Sequence, residues 1–184
     1  LLQLADGRQI ESVFIPDTPA QTFCISTQVG CAMACGFCLT GTMGLVRQLT
    51  AGEIAGQVRV LAHSTHMADR AFNIVLMGMG EPLHNYDATM KALRILADPD
   101  GLALPPRRVT LSTVGLLPAL ERLADEPIMP NLAISLHATT DEASYDFGSV
   151  DRAGQFYGPM HWHLAGPRLR DVLALRIRHR DLRA

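Results

Sequence analysis

The 184-residue sequence has only four cysteines and none after residue 38. All four fall between Cys24 and Cys38, and a chain of this length with a rich apolar core needs no disulfide staples. A small secreted scaffold is therefore excluded. No run approaches the ~20 apolar residues of a membrane-spanning helix, so no membrane partner is expected. The opening Leu1-Leu2-Gln3-Leu4-Ala5-Asp6-Gly7 has no basic region and no long apolar stretch, which excludes a secretory signal. It also lacks an initiator Met, which points to a beginning further upstream. A net charge of −2 carries no overall signature of nucleic-acid binding.

What is present describes one packed domain. Hydrophobic residues make up 48% and charged residues 18%, a balance that favours a globular core over disorder. Crowded thiols in such a chain suit metal binding, and a cytoplasmic location is expected. Charge is unevenly spread. Residues 150–184 hold seven Arg against Asp151, Asp171 and Asp181, a formal +4, which leaves −6 on the rest of the chain. Such a tail can grip phosphates or form a solvated helix face.

Along the chain, Ile10 to Ile15 alternates apolar and polar residues and ends at Pro16-Asp17-Thr18-Pro19, the pattern of a strand and a turn. Gln21 to Gln28 is a second strand leading to Gly30 and the cysteines. Thr50-Ala51-Gly52-Glu53 has the form of a capping box, and Ile54, Val58, Leu61 and Ala62 follow at helical spacing. A buried strand over Phe72–Met77 runs into Gly78-Met79-Gly80-Glu81-Pro82, and Tyr86–Ala97 is helical in pattern. Arg108–Ser112 is a strand, Leu116–Leu123 a helix and Asn131–Leu136 a fourth strand. Strand and helix thus alternate three times. The class is α/β with a parallel sheet, and the unusual polar residues gather at the carboxyl ends of its strands.

Cys31, Cys35 and Cys38 form a Cys-x-x-x-Cys-x-x-Cys segment. Soft thiolates suit iron–sulfur clusters and zinc. Three ligands on a four-iron cube leave one iron open, where S-adenosylmethionine can chelate through its amino and carboxylate groups. A structural zinc site needs four ligands, and Cys24, His63 or His66 could supply the fourth. The usual second pair of ligands is absent, and glycine-rich loops follow the later strands, so a [4Fe–4S] cluster is the favoured reading.

Cys24-Ile25-Ser26-Thr27-Gln28-Val29-Gly30-Cys31, Cys35-Gly36-Phe37-Cys38 and Thr40-Gly41 resemble the radical SAM adenine methyltransferases of RNA, the RlmN/Cfr family. Met77 to Leu83, Arg107 to Thr113 and Ala133 to Ala138 are similar to three more of its motifs, in the same order. The resemblance covers about residues 1–142, and Gln28-Val29-Gly30-Cys31-Ala32 is nearer the RlmN branch. It implies a partial (β/α) radical SAM barrel, truncated to about four of six strands, with residues 1–22 leading into a core over 23–142 and a divergent basic tail over 143–184.

The resemblance also implies function. The substrate is an adenosine of 23S rRNA, and of some tRNAs, methylated at carbon 2; carbon-8 methylation of the Cfr type is the near alternative. A non-enzymatic zinc-binding RNA module, or a radical SAM reaction unrelated to RNA, stands further off. A [4Fe–4S] cluster on Cys31, Cys35 and Cys38 and S-adenosylmethionine are the implied cofactors. Gly80, Glu81, Ser112, Ser135, Leu136 and His137 are the implied S-adenosylmethionine site. Phe37 packs beside the adenine or in the core. An electron donor such as flavodoxin is the implied partner, and the protein is a monomer. In the family a late cysteine carries the methyl group, and a cysteine at the position of Cys24 attacks the methyl-bearing sulfur, forms a transient disulfide and releases the product. After Glu142 the motifs stop. The chain has no late cysteine, and no stretch matching the family's N-terminal helical domain, so it reads as a fragment unable to complete methyl transfer. Val114, where the family usually has Ser, is a small departure.

Overall fold

The computed structural model describes residues 1–16 and 21–135. Its elements, in chain order, are β1 (Leu2–Gln3), β2 (Gln9–Ile10), β3 (Val13–Ile15), β4 (Thr22–Cys24), β5 (Gln28–Gly30) and α1 (Leu39–Thr42). Then come β6 (Leu45–Gln48), α2 (Ala51–Ser64), β7 (Asn73–Leu76), α3 (Tyr86–Ala97), β8 (Val109–Thr113), α4 (Leu117–Ala124) and β9 (Asn131–Ile134). The main sheet has the order β3-β4-β7-β8-β9. Its last four strands are parallel and lie side by side in chain order, with β5 and β6 set apart between β4 and β7, and β3 joins β4 antiparallel. The expected α/β alternation and the four parallel strands are present.

Two expected strands are divided. The stretch from Ile10 to Ile15 breaks at Glu11-Ser12, where side chains take the backbone and hydroxyl bonds: Ser26 Oγ donates to the Glu11 carbonyl at 2.6 Å, and Ser12 Oγ donates to Gln57 Oε1 at 2.8 Å. The strand expected over Gln21–Gln28 stops at Cys24. Gln28 begins β5, which leaves the main sheet and pairs antiparallel with β6. The β5–β6 hairpin encloses the cysteine segment.

Burial follows the sequence periodicity. Ile74, Leu76 and Leu111 lie on the inward face of β7 and β8, and Phe23 stacks between Phe14 and Phe72 with ring centroids 5.6 and 4.6 Å away. Ile54, Val58 and Leu61 of α2, Met90 and Leu93 of α3, and Leu120 and Leu123 of α4 complete the core. Each such side chain contributes about 1.5–3 kcal/mol by leaving water. No helix among the described residues is long and apolar enough to cross a membrane.

The start of α2 is fixed as its sequence predicts. Glu53 N donates to Thr50 Oγ1 at 3.2 Å, and Thr50 N donates to Glu53 Oε2 at 2.8 Å. Arg47 on β6 clasps both Glu53 oxygens at 2.8 and 2.9 Å and reaches Asp6 at 2.7 Å, tying the first hairpin to this helix. That guanidinium holds the Glu53 carboxyl below its ordinary range. Thr50→Ala should lower unfolding free energy by about 1 kcal/mol, read as a lower urea midpoint with an unchanged slope. An unmoved midpoint would show that Arg47, not the cap, holds the helix start.

Candidate active site

The passage from Ile25 to Thr27 lies between two sheets; Ile25 N still donates to Val75 O of β7 at 3.0 Å, but the other backbone groups need partners that the main sheet does not supply. Side-chain amides supply several of them. Gln57 of α2 is buried; its Oε1 accepts from Ser26 N at 2.8 Å and its Nε2 donates to Ser26 O at 2.8 Å. This is the bonding of a neighbouring strand, made by one side chain. Asn85 Nδ2 donates to the carbonyls of Thr27 and Leu49, each at 2.8 Å. The loop after β7 closes on the same passage, with Met79 N donating to Ser26 Oγ at 2.8 Å and Thr27 N to Met79 O at 2.8 Å. Gly78 is required here, because a Cβ would lie 2.7 Å from Ser26 Oγ and 2.8 Å from the Ile25 backbone.

From this platform the chain turns through Gly30, at φ +77°, into the cysteine segment. Cys31 N donates to Gly44 O at 3.0 Å, closing the loop base, and Ala34 takes a left-handed φ of 50°. Gly41 of α1 lies so close that a Cβ would be 2.8 Å from Cys35 O. Cys31 and Cys35 are buried, Cys24 and Cys38 half-buried, and all four are free thiols. Burial pushes the Cys31 thiol up to about 11, and it raises Cys35 and Cys24 as well. Phe37 is 52% exposed, so the core position open to it in the sequence is not the one it takes.

Glu81, 3% exposed, sits at the carboxyl end of the sheet. Its Oε1 accepts from Thr113 Oγ1 at 2.7 Å and Leu83 N at 2.9 Å, and its Oε2 accepts from Val114 N at 2.9 Å. Burial raises its pKa, opposed by these three bonds. Its charge also raises the Cys31 and Cys35 thiols, a smaller effect than burial, and Glu81 N donates to Gln28 Oε1 at 2.8 Å, which ties the carboxylate's loop to the base of the cysteine hairpin. Gly80, at φ +99°, presses on Gln28: a Cβ would lie 2.5 Å from the Gln28 Cβ. Ser112 and Ser135 bring their hydroxyls within 3.1 Å across β8 and β9, and Ser135 N donates to Thr113 O at 2.9 Å. Cys24 pairs in register with Val75, one strand from β8. Leu136 and His137 lie outside the described residues.

The donor set tests what could be held. Among the described residues no three His, Cys, Asp or Glu side chains converge closely enough for a single metal ion. A four-iron cube takes each thiolate on a different iron and needs no such common centre. Three soft thiols on one loop, beside a glycine-opened strand end, fit that group.

A family model described as the radical SAM superfamily matches residues 25–160. The chain belongs to the radical SAM superfamily. The match runs past Glu142, where the recognisable motifs end. Among curated relatives, the dual-specificity RNA methyltransferase RlmN of Syntrophobacter fumaroxidans is 49% identical over 152 residues, 83% of this chain and 44% of that protein. The protein of the same name from Syntrophotalea carbinolica is 58% identical over 144 residues, 77% of this chain and 37% of its own. A radical SAM methyltransferase structure from Sphaerobacter thermophilus superposes with a TM-score of 0.82 at 41% identity, covering 94% of this chain and 49% of that one. The chain spans less than half the length of these relatives.

The sequence motifs single out residues that the structure sets at strand ends, but they miss the amides that hold them. Gln28, Gln48, Gln57 and Asn85 carry no metal or nucleophile signature; their only signal is a polar side chain set in apolar surroundings. His84 is part of the same group. Gln28 Nε2 lies 2.9 Å from His84 Nδ1, which must therefore be an acceptor on a neutral ring. Burial lowers the His84 pKa. The stability this neutral ring contributes is complete above about pH 6.5, the unfolded value, and is lost as pH falls through the lower folded value. Urea midpoints between about pH 7.5 and 5.5 should therefore fall further for the parent than for His84→Gln, which keeps an acceptor and does not titrate. Equal losses would remove His84 from the pH dependence.

Proposed function

We propose that this chain is the cluster- and cofactor-binding core of a cytoplasmic RNA methyltransferase acting on carbon 2 of adenosine in 23S rRNA and some tRNAs. The observation that carries the reading is the junction of the cysteine hairpin with Glu81 at the carboxyl ends of the parallel strands, where Gln28, three positions before Cys31, accepts from Glu81 N at 2.8 Å. The similarity to proteins named dual-specificity RNA methyltransferase RlmN directs it to RNA, and the resemblance of Gln28-Val29-Gly30-Cys31-Ala32 to the RlmN branch favours carbon 2.

In this reading Cys31, Cys35 and Cys38 each hold one iron of a [4Fe–4S] cube. When bound, the cluster and S-adenosylmethionine supply the reductive cleavage of a carbon–sulfur bond, with the electron coming from a small redox protein such as flavodoxin. Gly80, Glu81, Ser112, Ser135, Leu136 and His137 are the residues assigned to S-adenosylmethionine binding in this reading. The Glu81 carboxylate, already accepting three hydrogen bonds, keeps the strand ends together and places negative charge toward an ammonium group. Ligation must also overcome the burial that keeps the thiols protonated, since iron binds the thiolate. Cys24, half-buried on β4, is the resolving thiol; its raised pKa means that it holds its proton at Sγ near neutral pH.

Anaerobic reconstitution should give about four iron and four sulfide per chain. Cys31→Ala, Cys35→Ala and Cys38→Ala should each abolish this, while Cys24→Ala retains it. Equal cluster loss in Cys24→Ala would make Cys24 a ligand, and zinc bound without sulfide would favour the zinc-binding RNA module. The 184-residue chain alone should not methylate 23S RNA. With three cysteines as ligands, only Cys24 remains, and one thiol cannot both carry the methyl group and release it through an intramolecular disulfide. Mass spectrometry of nucleosides after incubation with S-adenosylmethionine and reductant decides this. Methyladenosine above a Cys24→Ala control would overturn the cysteine assignment.

A further inference from the structure

The cysteine hairpin and the Gly80–Glu81 loop come from different parts of the chain, and one side chain joins them. Gln28 is fully buried in β5, three positions before Cys31. Its Oε1 accepts from Glu81 N at 2.8 Å, and its Nε2 donates to Gln48 Oε1 at 2.8 Å and His84 Nδ1 at 2.9 Å. The orientation of this amide is determined, because only the oxygen can meet the Glu81 N–H. The Gln48 amide is fixed independently, since its Nε2 donates to His84 O at 2.9 Å and its oxygen is left facing Gln28. Backbone bonds from Thr27 and Gln28 hold the loop at Met79; the Gln28 side chain extends that hold to Glu81. Gly80 permits the approach, having no Cβ to strike the Gln28 side chain.

We propose that Gln28 is a positioning residue, which sets the Gly80–Glu81 loop against the cysteine hairpin and so fixes where the amino-acid end of S-adenosylmethionine meets the open iron. This rests on the cofactor reading proposed above. Gln28 touches neither cluster nor cofactor in this role; it acts through the Glu81 backbone on one side and through β5 and Gly30 on the other. Its loss would leave both binding elements present and misaligned.

The test compares the reconstituted parent chain with Gln28→Met, which keeps side-chain length but makes none of the three bonds. Iron and sulfide content, S-adenosylmethionine affinity by equilibrium dialysis, and the electron paramagnetic resonance spectrum of the reduced cluster with and without S-adenosylmethionine are measured. Gln28→Met should keep its cluster, bind S-adenosylmethionine about tenfold or more weakly, as expected for an unpaired buried N–H, and show a smaller spectral change on binding. Wild-type affinity with the wild-type spectral change would overturn the proposal. Cluster loss in a folded Gln28→Met would also overturn it, reducing Gln28 to a support of the cysteine loop. Should Gln28→Met fail to fold, Gln48→Met is read instead. It leaves Glu81 N its acceptor but frees the Gln28 amide to turn; weaker binding with a full cluster supports the role, and unchanged binding and spectrum reject it. A parent chain that holds its cluster but binds no S-adenosylmethionine would overturn the cofactor reading, and this inference with it.

Discussion

The structure depends on how three residues between β4 and β5 satisfy their backbone while crossing from one sheet to another. Ile25, Ser26 and Thr27 are buried, so each unpaired N–H or C=O there would cost on the order of 1–3 kcal/mol. The solution is a set of borrowed partners. Gln57 acts as a one-residue strand beside Ser26, Asn85 and Leu49 N close the Thr27 carbonyl, Val75 of β7 accepts from Ile25 N, and the loop after β7 supplies the rest. Because the same passage leads directly to Gly30 and Cys31, the requirement of backbone satisfaction also decides where the thiols stand relative to the sheet.

The charge arrangement follows from that packing. Cys31, Cys35 and Glu81 are three groups that would become negative together in a buried region, and burial alone raises all three. Neutral donors oppose this at Glu81: Thr113, Val114 and Leu83 surround its two oxygens. The thiols have little comparable help, one contact being Met33 N to Cys31 Sγ at 3.5 Å. Metal ligation is the ordinary chemistry by which buried thiols become thiolates, because the cation offsets the charge.

Much of the framework was readable because it is local. The box at Thr50–Glu53 is present as written in the sequence, and Tyr86–Ala97 is helical over the residues its periodicity marks. The inward alternation of β7 and β8 was likewise visible in short apolar runs bounded by turns. What could not be read is long-range. Ser26 meets Gln57 across 31 positions and Gln28 meets Glu81 across 53, distances at which no periodic pattern exists. For that reason β5 reads as a continuation of β4, and β6 has no signal until its pairing with β5 is known. The site was legible in the same proportion. The cysteines stand out by type and spacing, and the strand-end Gly80, Glu81, Ser112 and Ser135 only through the family resemblance of their motifs, whereas the glutamines beside them look like ordinary polar residues.

The order of strands bears on how the chain is built during synthesis. In β4-β7-β8-β9 the parallel strands lie side by side in the order in which they are made, so the sheet can grow at one edge as the polypeptide emerges. The cysteine hairpin, α2 and the loop to Asn85 can assemble once β7 and the start of α3 exist. Glu81 cannot yet be completed, because Thr113 and Val114 arrive with β8. Until then its carboxylate has one backbone donor, from Leu83, and every reason to stay in water. The full set of donors that buries Glu81 is therefore complete only when β8 is in place.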